Sequence, residues 1–134
     1  MKSKKFKNIV TAVVIVLIII ATFYGSRENN VKLTEDSIII EGMYGREIPK
    51  NTITHIKLLE ELPRVSLRRN GISIFSLQKG VYKIEGFDKI NLYVHGGEKY
   101  LLIDSKDRPV IISYKDSTKT EKLYNELNDF LGNR

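Results

Sequence analysis

The chain has no cysteine and no tryptophan, and only three prolines and two histidines in 134 residues. Without cysteine there are no disulfides, no thiol catalysis and no cysteine-based zinc site. The two histidines, His55 and His95, have no partners at the spacing that a metal site or a proton relay needs. No G-x-S-x-G is present, and no Gly-rich phosphate loop joins a strand to a helix. Asp104 and Asp107 flank a turn, where aspartate bonds its own backbone, and are read as turn residues, not as a catalytic pair. The residues point to no enzyme, no cofactor and no metal.

Negative charge is missing from the first 27 residues. The net charge is +6, but Lys2, Lys4, Lys5 and Lys7 supply four of those charges ahead of a long apolar run. From Arg27 onward, 18 Lys and Arg stand against all 16 Asp and Glu, which leaves +2. A domain so nearly balanced does not carry the footprint of a nucleic-acid binder.

What is present is the stretch from Ile9 to Tyr24, with no charged residue. As a helix it spans about 24 Å, against about 30 Å for a hydrocarbon core. Phe6 lengthens it, Lys7 can snorkel to the interface, and Phe23 and Tyr24 stand where an aromatic belt would be. It is apolar on every face, which a water-facing core helix cannot be. A cleaved signal peptide is the rival, yet no cut after Ala21, Gly25 or Ser26 has a small residue at the third position before it. The expectation is a retained anchor over residues 9–25, bearing on lipid through Ile9, Val13, Val16, Leu17, Ile20 and Phe23. A basic cytoplasmic N-terminus covers residues 1–8, and residues 26–30 are a short linker. The lysines ahead of the run keep that end in the cytoplasm, so the domain at 31–134 faces outward from the cell membrane.

Strand signals fill that domain. Val31–Leu33 and Ser37–Glu41 flank a turn at Thr34–Asp36, and Gly42 and Gly45 mark another. Thr52–Leu59, Val65–Leu67, Ile72–Leu77, Val81–Ile84 and Val110–Tyr114 read as extended, with Asn70-Gly71 as a turn. Ile90, Leu92 and Val94 alternate with Asn91, Tyr93 and His95, and Gly96-Gly97 leads into Lys99–Ile103 as a hairpin. The period then changes. Thr118 and Glu121 make a capping box, Leu123, Tyr124, Leu127, Phe130 and Leu131 form one helical stripe, and Gly132 ends it. The expected fold is mainly β: a bent antiparallel sheet or barrel of about seven strands, closed by one amphipathic C-terminal helix.

This order resembles the pleckstrin-homology (PH) superfold. "VKLTEDSIIIEG", "REIPKNTITHIKLL", "VSLRRNGISIFSLQKGVYKI" and "YLLIDSKDRPVIIS" are similar to segments of membrane-attached bacterial PH-like domains. Arg68, Gly71, Gly80 and Tyr82 stand at the matching turn and core positions. The resemblance implies a non-catalytic interaction or scaffolding domain. The basic triplet of phosphoinositide-binding members is missing from "EGMYGREIPK", which holds only Arg46 and Lys50.

The one basic concentration of the domain is Arg64, Arg68, Arg69, Lys79 and Lys83, a candidate surface for anionic lipid or wall polymer. The expected partners are the bilayer through residues 9–25 and a protein at the membrane, with no nucleic acid. Alternatives are an accessory subunit of a transport or secretion complex, or a secreted enzyme whose pocket gathers His95, Asp104 and an arginine.

Overall fold

The computed structural model describes residues 2–74 and 76–132, and the side chains of residues 2 and 24–26 lie outside the description. Helix α1 (Lys2–Ser26) contains the span Ser3–Phe23, long and apolar enough to cross a membrane. No part of that span is buried, and Ile9, Val13, Val16, Leu17, Ile20 and Phe23 are all exposed. Tyr24, expected beside Phe23 in an aromatic belt, falls outside the described side chains, as do residues 133–134 at the end of the expected domain.

The rest is mainly β, closed by a C-terminal helix, as expected. Strands β1 (Val31–Leu33), β2 (Ser37–Ile40) and β3 (Arg46–Pro49) form a small antiparallel sheet in that order. Its first turn is tied by the Thr34 hydroxyl, which accepts the Ser37 N–H at 3.1 Å. A single 3-10 turn (Lys50–Thr52) leads to β4 (Ile53–Leu59). Then follow β5 (Val65–Ile74), β6 (Leu77–Ile84), β7 (Phe87–His95), β8 (Tyr100–Ser105), β9 (Val110–Ser113) and helix α2 (Ser117–Gly132). The second sheet has the order β4-β8-β9-β7-β6-β5. The nine strands exceed the seven or so expected, partly because Arg46–Pro49 pairs with β2 as a strand of its own.

Three local expectations are corrected. Strands β7 and β8 do not form a hairpin; β9 lies between them, parallel to β7 and antiparallel to β8. Every residue of β9 is buried, so it takes the middle of the sheet, where both its faces and both its edges are covered. The Gly96-Gly97 turn opens wide enough for it, and the Ser113 hydroxyl bonds the carbonyls of Gly96 and Lys99 on either side. Asn70-Gly71 is not a turn but part of β5, paired with Val81 and Gly80. At that point two glycines face each other across the ladder, and a Cβ on Gly80 would come within 2.2 Å of the Asn70 carbonyl oxygen. Helix α2 is capped by Asp116 in place of Thr118. The Asp116 carboxylate accepts the Thr118 N–H at 3.0 Å and its carbonyl accepts the Lys119 N–H.

The alternation along β7 is as expected, with an addition: both faces are buried. Tyr93 points to one core with Ile38, Ile40, Ile48, Leu101, Ile103, Val110 and Ile112. Leu123 and Leu127 of α2 close that core, with Tyr124, Phe130 and Leu131 at its margin. Ile90, Leu92 and Val94 point to a second core with Tyr82, Ile84, Leu102 and Ile111, covered by Leu59, Leu62, Val65, Phe87 and Tyr100. The large sheet is thus the central layer. Leu127 is fully buried. Leu127→Ala therefore destabilises the domain by about 2–5 kcal/mol, measured by chemical denaturation of the full chain in detergent. Gly80→Val, which drives a branched side chain into the facing backbone, gives a still larger loss in the same assay.

Candidate functional site

Residues 26–30 were expected to be a short linker, of which Ser26 ends α1. The structure bonds residues 27–30 to the domain. The Arg27 carbonyl accepts the Lys79 amine at 2.7 Å. The Glu28 carboxylate accepts the Lys115 N–H at 2.9 Å and meets the Lys119 amine at 3.3 Å. Asn29 is buried, and its Nδ2 donates to the carbonyls of Glu41 at 2.6 Å and Met43 at 3.1 Å. Its own carbonyl accepts the Tyr114 hydroxyl at 2.8 Å. The Asn30 carbonyl accepts the Glu41 N–H. The chain leaving α1 is thus held by the β2–β3 turn, by β6 and by the segment entering α2.

His95 is buried at this junction. Its Nε2 lies 3.3 Å from Asn29 Oδ1. Two carbonyls fix the Asn29 amide nitrogen, so Oδ1 must be the acceptor and His95 Nε2 the donor. Tyr93 and Tyr114 lie in the same core, and burial pushes the Tyr93 hydroxyl up to about 12 and the Tyr114 hydroxyl higher still.

The basic concentration read from the sequence is divided by the fold. Lys79 is fully buried, because its position in β6 points it toward the junction, where burial lowers its amine to about 8. It does not share a surface with the others. The remaining four are exposed. Lys83 stands opposite Leu67 on β5, while Arg68 stands opposite Tyr82 and so on the other face. Arg69, at a bulge, is clamped onto Asp88 at 2.9 Å. Arg64 precedes β5, and its carbonyl accepts the Glu85 N–H.

The enzyme-like grouping is not formed. Asp104 lies 3.7 Å from His55 on β4, beyond the Ile103–Val110 pair, whereas His95 follows the Val94–Ser113 pair at the opposite end of β9. Arg46 bonds the Arg108 carbonyl, Asn91 and Asp107, a link from β3 to the large sheet. Among the described residues no group of three or more His, Asp or Glu could hold a metal ion. The sequence could not reveal the junction: "RENN" has the composition of a linker, and its partners lie 11 to 91 residues away.

Two outcomes follow. Asn29→Ala destabilises the domain by about 1–3 kcal/mol for each carbonyl left unpaired, read by denaturation of the full chain. Between about pH 8 and pH 10 the unfolded Lys79 amine, with an ordinary value of 10.5, still holds its proton while the buried one has released it. Stability therefore rises with pH across that window, and Lys79→Met flattens the rise.

The family model described as "Bacterial PH domain" matches residues 29–128. Comparison with curated proteins and with solved structures finds no match. The match begins at the buried Asn29 and ends within α2, so it covers both sheets and most of the closing helix. The chain belongs to the bacterial PH domain family.

Proposed function

We propose that this is a membrane-anchored, non-catalytic interaction domain, held by α1 at the outer face of a bacterial cell membrane. The observation that carries the reading is the exposed apolar span Ser3–Phe23, followed within four residues by a backbone bonded into the domain. An exposed apolar surface of that length suits lipid. PH-like domains are generally non-catalytic interaction domains, and the separation of His95 from Asp104 agrees with that role. Lys2, Lys4, Lys5 and Lys7, ahead of the uncharged run that starts at Ile9, support an N-terminus in the cytoplasm.

Function then rests on position. The anchor confines the domain to a layer next to the membrane and raises its effective concentration toward partners there. A protein partner at the membrane is the expected ligand, and the exposed arginines 64 and 68 are open to anionic lipid or wall polymer.

The test is fractionation of cells that express the full chain, followed by protease treatment of intact protoplasts. The expected result is a full-length membrane protein whose domain is digested from outside. A protected domain would reverse the orientation. A shortened, soluble product would show that the apolar span is removed and would end the anchoring reading.

A further inference from the structure

Outside α1, only two large apolar side chains are exposed among the described residues: Leu67 at 51% and Ile74 at 45%. Both belong to β5, the free edge strand of the large sheet. Single exposed apolar residues are ordinary on a protein surface. These two are not independently placed. Leu67, Asn70, Ile72 and Ile74 stand opposite Lys83, Val81, Lys79 and Leu77 in turn. Those β6 residues are spaced by two, so they share a face, and their β5 partners share it with them. The bulge at Arg69 restores the alternation that an even count from 67 to 74 would otherwise break. One face of the hairpin thus carries Leu67, Ile72, Ile74, Leu77 and Val81, none of them buried.

The fold states where that face looks. Lys79 lies within it, and its amine is bonded to the carbonyl of Arg27, the first residue after α1. The apolar face is therefore continuous with the point where the apolar helix leaves the domain. Lys83 stands beside Leu67 on the same face, exposed, with no ion pair among the described residues. Apolar side chains flanked by a cation are the composition of a surface that lies in a lipid interface.

A partner strand added along the β5 edge fits less well. The edge is broken by two register shifts, between Val65 and Leu67 and between Arg68 and Asn70, and Arg69 is turned onto Asp88. Bulges of this kind interrupt a ladder that an added strand would need. The face, not the edge, is the free element.

We propose that the β5–β6 hairpin rests in the bilayer interface beside α1, with Leu67, Ile72 and Ile74 among the headgroups and upper acyl chains and Lys83 against anionic lipid. The inference rests on the anchoring reading above. The domain then has two attachments to one membrane, the helix and the hairpin face, and its tilt is set by both.

The absence of cysteine makes the test direct. Four single variants of the full chain, Val16→Cys, Lys57→Cys, Leu67→Cys and Ile74→Cys, each carry an environment-sensitive fluorophore. They are reconstituted in vesicles of phosphatidylcholine and phosphatidylglycerol. Lys57 is an exposed residue of β4, the opposite edge of the sheet, and reports water. Labels at 67 and 74 are expected to shift to the blue and to lose emission to a nitroxide placed near the lipid headgroup. The label at 57 is expected to lose emission to aqueous iodide alone, and the label at 16 to a deep nitroxide. If 67 and 74 behave like 57 while 16 is quenched in the bilayer, the hairpin proposal fails and the anchor stands. If 67 and 74 are shielded from both quenchers, protein covers the face, and a lipid-resting hairpin is again excluded. A label at 16 that no lipid nitroxide reaches overturns the anchoring reading and the hairpin with it.

Discussion

One side-chain amide holds the junction on which the rest of the architecture depends. Asn29 is buried, and its donors and acceptors are all committed: to two carbonyls of the β2–β3 turn and to His95 at the end of β7. A buried amide left without such partners would be strongly unfavourable, so the three elements must arrive together. The small sheet is brought against the large one at this point, and the chain from α1 enters between them. Arg46, which opens β3 just after the same turn, makes a second link to the large sheet, to Asn91 and the Arg108 carbonyl. Two polar clamps and one apolar layer therefore join the sheets.

Between the clamps the packing follows from the large sheet being covered on both sides. Strand β7 is buried on both faces from Ile90 to His95, and β9 along its whole length. That is the condition of a central layer, with α2 and the small sheet on one side and the Leu59–Val65 segment on the other. Apart from the buried Lys79, the charges of the domain are pushed to its rim, where most of the ion pairs are at least half exposed on one side and add little to stability.

What could be read from the sequence was what is encoded locally. The stripe Leu123, Leu127 and Leu131 repeats at helical spacing because α2 packs one face on one surface, and the structure shows that face. The inside-outside alternation of β7 survived for the same reason. The place of β9 left no local trace: a parallel pairing with a strand two elements earlier depends on which apolar run is short enough and buried enough to fill the centre. The two lysines of "LQKGVYKI" look equivalent in sequence, yet Lys79 is buried and Lys83 exposed. The difference comes from the Arg27 carbonyl 52 residues away. The PH-like order itself was readable because it is a succession of short strands and one final helix, and the family match rests on that same stretch.

The direct bond between the end of α1 and the sheet makes the helix an axle. A flexible tether would let the domain turn freely about the helix, but here the residues that leave α1 are bonded to the domain and couple the two. Each residue of a helix advances about 100° around the axis. On the proposed anchoring, the side chains that α1 shows to its neighbours in the bilayer set the direction in which the domain looks across the membrane plane. On the same reading, any molecule that grips one side of α1 also aims the domain.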